Sequence, residues 1–422
     1  METDIDKGTF KQIFHDHWNA FMAGNPLHYG TGYHNEVVQK MLDCGDPEKM
    51  GFAQYRCTSC GETRRVAFSC KSSFCLSCAK VYSDKWVDFI GRRMLPGVVY
   101  RHIVLTVPES LRLWFYRNPD ILLSPFMRAG HACLLDVLKT CAKGVDLDIG
   151  SIVVLQTAGR PGIYNPHLHI LLTEGGITPQ NTWKTVSYIP FDLIHRKWQY
   201  HLLNMLKENI PDPRMEQEID WAWKKYPKGF VAFVEKEKVP PGGEGLARYL
   251  AKYLVSPPIS VRRIQNYDGE TVRYWYKDHK SGQIEYEALA ALRFIGRMVQ
   301  HILPKGFQRI RYFGLHSHVR YEKARRKLAG ILPAKIPVSP GSYRVVARKP
   351  FEQLFFESFG LNPLLCPRCD KPMELELIHH PDYGTIKSYE LYTEKQPEQP
   401  HAIRGPPLQR PQPVVQLPLP FM

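Results

Sequence analysis

Two C-x-x-C knuckles, Cys57–Cys60 and Cys75–Cys78, restrict what this chain can fold into more than any other stretch. Each sets two sulfurs on one tight turn, and the residues between them can return as a hairpin. That spacing predicts one tetrahedral zinc site of four thiolates: Cys57, Cys60, Cys75 and Cys78. Cys44 and Cys70 complicate the set, since either replaces a ligand or joins a second site. Near the other end, "CPRCDKPMELELIHH" offers Cys366 and Cys369 with His379 and His380, half of a zinc ribbon. Adjacent histidines on a strand point opposite ways, so at most one joins the same ion. Arg56, Arg64, Arg65, Lys71 and Lys80 lie in and after the N-terminal block. They make it either a DNA-contacting module or a structural staple with no nucleic-acid role.

The N-terminus carries early acids and no apolar h-region, so no secretory signal is expected. No run is read as approaching the roughly 18–20 apolar residues that span a bilayer, so no membrane partner is expected. The thiols are then expected to stay reduced, which favours metal binding over disulfides. The chain's 422 residues allow two or three domains. Its 56 Lys and Arg against 41 Asp and Glu leave a net charge of +15, which predicts a polyanionic partner, nucleic acid above all.

Apolar periodicity predicts helices over residues 8–43, with Phe10, Phe14, Trp18 and Phe21 on a buried face. His15 and His17 lie there too and diverge on a helix, which makes them surface or packing residues. A helix is expected over 82–94, a strand and short helix from Val98 to Arg112, and a helix over 122–142. "SIVVLQTAG" and "HLHILLT" read as two strands joined by a Gly/Pro/Asn loop. Amphipathic helices over 183–237 end in the strand "GFVAFVEKE", and "TVRYWYKD" with "QIEYEAL" suggests another hairpin.

Within "YNPHLHILLTEGG", strand alternation points His167 and His169 to one face and Leu168, Ile170 and Leu172 to the other. Gln156, on the partner strand, can reach the same point. Two imidazoles and a neutral amide suit a divalent ion such as Mg²⁺ or Mn²⁺; the competing reading is two polar residues on a solvent-facing edge. In "GEGLARYLAKYLVSPP", Tyr249 and Tyr253 are four apart and share one side of a short helix, with Arg248 and Lys252 on its far side. Boundary tyrosines are commonly structural. As nucleophiles they need help, because a phenol's usual pKa is about 10.

Taken in order, "SFCLSCAK", "YRHIVLTVPESLR", "VVLQTAG", "NPHLHILLTEGG", "YLAKYLVSPPIS" and "ILPKGFQRIRYFGL" make the chain resemble the HUH-type two-tyrosine rolling-circle transposases of bacterial insertion sequences, the family of insertion sequence ninety-one. The resemblance runs from about residue 35 to 330. It departs at Asn165, where family members often have a histidine, and in lacking a histidine before the first cysteine pair.

The resemblance implies an α+β fold: an HUH-endonuclease-like antiparallel sheet flanked by helices, with the histidines on a central strand, the tyrosine helix across from them and an N-terminal zinc-binding module. The implied organisation is a helical, Cys-rich DNA-binding module over 1–95 and a catalytic domain over 96–330, with a helical insertion at about 180–228. A C-terminal region over 331–395 and a disordered Pro/Gln-rich tail over 396–422 follow. It implies that Tyr249 or Tyr253 attacks single-stranded DNA at the element's end, leaving a 5′-phosphotyrosine, with a catalytic divalent ion at His167, His169 and Gln156 and structural Zn²⁺. Lys305, Arg309 and Arg311, interleaved with Phe307, Tyr312 and Phe313, become candidates for gripping the strand. A cytoplasmic, nucleoid-associated bacterial protein is expected. Two other readings stay open: a replication initiator or relaxase with the same chemistry, and a non-catalytic zinc-dependent DNA-binding protein.

Overall fold

A computed structural model describes residues 8–29, 32–240, 245, 249–250, 258–278, 281–332, 356 and 362–389. Its helices begin with α1 (Thr9–Gly24), α2 (Pro26–Tyr29), α3 (Gly32–Asp43) and α4 (Pro47–Met50). They continue with α5 (Leu76–Arg92), α6 (Glu109–Arg117), α7 (Pro119–Cys141), α8 (Phe191–Asn209) and α9 (Pro213–Lys225). The strands are β1 (Phe52–Cys57), β2 (Thr63–Ala67), β3 (Tyr100–Thr106), β4 (Gly150–Ala158), β5 (Tyr164–Thr173), β6 (Gly176–Ile177) and β7 (Trp183–Lys184). After these come β8 (Ala232–Val234), β9 (Ile264–Tyr267), β10 (Thr271–Lys277), β11 (Ile284–Ala290), β12 (Ile310–Gly314), β13 (Met373–His380) and β14 (Gly384–Ser388).

Period-two patterning builds the central sheet, ordered β12-β4-β5-β3-β8 and antiparallel throughout. One face, carrying Leu168, Ile170 and Leu172 with Ile103, Leu105, Val153 and Leu155, buries against α6, α7 and α8. The other carries Ile152, Val154 and Leu171 and packs on Val87, Ile90, Met94 and Leu250. Both faces are therefore covered, and alternation on β5 decides which residues meet which layer.

Helix α7 lies close over β5. A Cβ at Gly130 would come within 2.5 Å of Leu168 Cδ1, so glycine lets the helix settle onto the leucine between the two histidines. Contrary to expectation, α7 is long and apolar enough to cross a bilayer by length and composition. Its Leu122, Phe126, Cys133, Leu134 and Val137 are buried in the main core, which explains the apolarity without a membrane. At the far end of β5, Gly175 takes φ +121° and passes so near Lys184 that any Cβ would strike its carbonyl. Here the "TEGG" turn requires glycine.

Phe10, Phe14, Trp18 and Phe21 of α1 form a buried stripe, as their spacing predicts. The stripe packs on Val272, Tyr274 and Phe294, so the N-terminal helix joins β9–β11 and the helix Ala291–Val299 in one core. His15 is exposed beside Asp16, and His17 meets the Gly269 carbonyl oxygen. A further sheet, β14-β13-β1-β2, unites the N-terminal hairpin with residues near the other end. Arg56 pairs with Glu376 across it at 2.6 Å.

The architecture is thus mixed helix and antiparallel sheet with a Cys-rich N-terminal region. Three elements differ from expectation. Helix α5 begins at Leu76, directly after Cys75, instead of at 82; the short strand β7 stands at Trp183–Lys184, where a helix is expected, with α8 starting only at Phe191; and β8 is confined to three residues. The expected tail over 396–422 lies outside the described residues.

Candidate active site and metal centres

The central strand β5 presents His167 and His169 on the same face, and β4 places Gln156 directly opposite His167. All three line a cleft of about 430 Å³ together with Tyr82, Arg160, His301 and Arg309. His167 Nδ1 donates to the Asn165 carbonyl oxygen at 2.6 Å. His169 Nδ1 lies 2.8 Å from Nε2 of His102. Each ring is thereby fixed through Nδ1, the arrangement in which a histidine offers Nε2 to a metal. Burial lowers the pKa of both, His169 most strongly, and Arg309 adds to the effect. Neutral imidazole is the ligating form. Among the described residues no third His, Cys, Asp or Glu completes a cluster with this pair. With Gln156 the donor set fits a divalent ion that keeps open positions.

The tyrosine helix is described only in part. Tyr253, Arg248 and Lys252 lie outside the described residues. Tyr249 is half-buried, and its Oη lies 2.8 Å from Nδ1 of His102. Because His102 also contacts His169, the phenol sits one imidazole away from the candidate ligand. His102 is 2 % exposed, and burial pulls its pKa down to about 4. Sequence reasoning took "YRHIVLT" only as a strand and missed this residue. The available signal was a histidine at an apolar alternate position; the β3–β5 register sets His102 opposite Leu171, on the face of His169.

Arg101 was also missed. It holds the buried Glu174 of the "TEGG" turn at 2.7 Å and donates to the Lys236 and Ser187 carbonyl oxygens. Lys238 approaches Glu174 at 3.3 Å. These contacts tie β3, the end of β5 and the segment after β8 into one frame.

The three basic residues expected to grip a strand together do not form one patch. Arg309 lines the cleft and donates from Nε to the Leu155 carbonyl oxygen at 2.8 Å. Arg311 pairs in register with Val153, which turns it to the α7 face, where it donates to Ser124 Oγ at 2.7 Å. Lys305 is exposed, 3.8 Å from Glu36.

The cysteines correct the expected zinc set. Cys57 and Cys60 do not share a site with Cys75 and Cys78; the clusters are Cys44, Cys70, Cys75, Cys78 and Cys57, Cys60, Cys366, Cys369. All sulfurs of each cluster lie within 4.8 Å of one another. Cys44–Cys78 and Cys70–Cys78 are 3.5 and 3.7 Å apart, and Cys57–Cys369, Cys60–Cys366 and Cys60–Cys369 are 3.6, 3.5 and 3.6 Å apart. A tetrahedron with Zn–S near 2.3 Å has edges of roughly 3.8 Å, whereas a disulfide would bring sulfurs to about 2.05 Å. Both sets fit zinc in a structural role.

The reason for the correction is strand length. Strand β1 has six residues rising about 3.3 Å each, so the first knuckle sits at a hairpin tip roughly 16 Å from the base where Cys70 returns. At that tip the register of Cys57 with Met373 brings up the second knuckle, Cys366–Cys369. His379 stacks instead on Phe52 with ring centres 5.1 Å apart, and His380 packs beside Tyr383, so neither histidine joins the sulfurs.

Comparison with known proteins finds two family matches. Residues 13–107 match the family described as "Transposase zinc-binding domain", and residues 150–324 match the one described as "Putative transposase". The first span includes Cys44 to Cys78 and His102; the second includes Gln156, both histidines, both tyrosines and Arg309. The chain is 29% identical over 350 residues to the transposase for insertion sequence element IS801 of Pseudomonas savastanoi pv. phaseolicola, covering 80% of this chain and 82% of that one. It is 27% identical over 332 residues to the protein described as "Putative transposase y4qJ" of Sinorhizobium fredii (strain NBRC 101917 / NGR234), covering 74% and 81%. No solved structure matches.

Proposed function

The chain belongs to the IS91 family of transposases, and from that premise we propose that it cuts and rejoins single-stranded DNA at its element's ends through a tyrosine–phosphate linkage. Transposases act on DNA by strand cleavage and transfer. The finer reading rests on one observation: the Tyr249 phenol lies a single imidazole from His169, on the histidine face of the central strand.

The chemistry balances without an external energy source. The Tyr249 oxygen attacks phosphorus, an O–P bond forms as the bond to the 3′-oxygen breaks, the phenol gives up its proton and the departing oxygen takes one. A 5′-phosphotyrosine and a free 3′-hydroxyl result, and attack by a hydroxyl on the tyrosyl ester reverses the exchange. Tyr253 supplies a second nucleophile, which lets one strand be held while another is cut. His167, His169 and Gln156 would hold a divalent ion, which when bound polarises a phosphate oxygen. Arg309, fixed in the cleft by Leu155, contributes positive charge where the phosphate would sit.

The test is incubation of the zinc-loaded protein with single-stranded DNA from the element's ends plus Mg²⁺ or Mn²⁺. A denaturant-resistant protein–DNA adduct is expected. It should vanish when the divalent ion is omitted and when Tyr249→Phe and Tyr253→Phe are combined. No adduct on authentic end sequences with any divalent ion would overturn the reading.

A further inference from the structure

We propose that His102 is a positioning residue that links the tautomer of His169 to the hydrogen bond on Tyr249. The inference rests on the proposed use of the histidine pair and Tyr249, and it assigns the residue that connects them. His102 spends both ring nitrogens, Nε2 on His169 Nδ1 at 2.8 Å and Nδ1 on Tyr249 Oη at 2.8 Å. Its ring stacks on that of His169 with centres 5.0 Å apart and meets the Tyr249 ring edge-on at 5.6 Å. It forms no three-ligand cluster with His167 and His169, so its place is behind the ligand.

A neutral imidazole has one proton for two contacts, so the directions of the two hydrogen bonds are locked together. In one arrangement the phenol donates to His102 Nδ1, and His102 Nε2–H donates to His169 Nδ1. The proton of His169 then sits on Nε2 and blocks ligation there. In the other, His169 Nδ1–H donates to His102 Nε2, and His102 Nδ1–H donates to the phenolic oxygen. Only this second arrangement leaves the His169 Nε2 lone pair open to a metal.

Ion binding at His169 therefore selects the state in which Tyr249 accepts a hydrogen bond and its own hydrogen is released toward another acceptor. The coupling is reciprocal. A phosphorylated Tyr249 oxygen carries no hydrogen and can only accept, so the covalent intermediate favours the metal-binding tautomer in turn.

The experiment measures Mn²⁺ affinity of the full, zinc-loaded chain by paramagnetic resonance of free Mn²⁺, counting only binding lost in the His167→Ala, His169→Ala double variant. His102→Ala should weaken that binding by about 10–100-fold, the usual cost of removing a ligand's outer partner. His102→Leu, which keeps more of the volume but neither hydrogen bond, should show the same loss if the alanine variant does not fold. His102→Gln should restore affinity and adduct formation to within a few-fold, because its amide oxygen accepts from His169 while its N–H donates to the phenol.

Unchanged affinity in the alanine and leucine variants overturns the inference, as does absence of Mn²⁺ binding in the parent. A glutamine variant as impaired as alanine also overturns it, since proton transfer to the ring would then be the role. The two readings fail separately. A parent that forms adduct with His102-independent affinity loses only this inference; His102-dependent affinity without any adduct loses only the nuclease reading.

Discussion

The thiolate clusters draw ligands from positions 44 to 369, whereas the histidine pair comes from two alternate positions of a single strand. Four sulfurs meet only after a hairpin has carried one knuckle away and another has arrived from more than 300 residues downstream. Two imidazoles share a face as soon as β5 is extended. The first kind of centre depends on the fold and should hold it together. The second depends on local geometry and should be removable with the fold intact.

The hardest way to break this contrast is to attack the buried sulfurs. Apparent structural zinc binding is worth about 10–16 kcal/mol, so Cys75→Ser should release one zinc and unfold the Cys44–Cys78 region. Metal analysis and thermal unfolding read it directly. Two equivalents in the parent falling to one is expected; unchanged content would refute the cluster. Cys366→Ser with Cys369→Ser should also remove one equivalent, but free only the β13–β14 hairpin, seen as proteolysis around residues 362–389.

Next in size is the ion pair that frames the end of β5. Removing one partner of a buried pair costs about 3–5 kcal/mol because the other charge is left uncompensated. Arg101 and Glu174 are both largely buried, so Glu174→Ala should lower stability by about that much, and Arg101 should lose its anchor beside His102. Chemical denaturation measures the loss. By contrast, combined His167→Ala and His169→Ala should abolish the DNA adduct with little change in zinc content or in DNA affinity. Loss of all three together would show the histidines to be structural.

The same contrast explains what could be read from the sequence. The shared face of His167, His169 and Gln156 followed from strand alternation and a hairpin register, both local rules, and the aromatic stripe of α1 followed from helical spacing. The zinc set did not, because a spacing rule joins neighbouring knuckles and cannot see the length of β1 between them. His102 was hidden for a related reason. It is 67 positions from His169, and only the pairing of β3 with β5 brings the rings together. Arg311 looked like a companion of Arg309, but its pairing with Val153 turns it to the α7 face, whereas Arg309, just ahead of β12, lines the cleft.

The smallest effect is expected at Asn165, and it sharpens the comparison most. His167 is oriented by the carbonyl oxygen of residue 165, not by its side chain. The Asn165 Oδ1 atom is itself buried without a hydrogen-bond partner, so the side chain contributes no polar bond through that oxygen. Asn165→Ala should therefore stay within about 0.5 kcal/mol of the parent in stability, the range of substitutions that break no special feature. Mn²⁺ affinity and adduct yield should be unchanged, since the backbone acceptor survives any side chain at that position. A large loss of either would mean that the asparagine amide itself takes part in the site, and that the strand's geometry alone does not set the histidine pair.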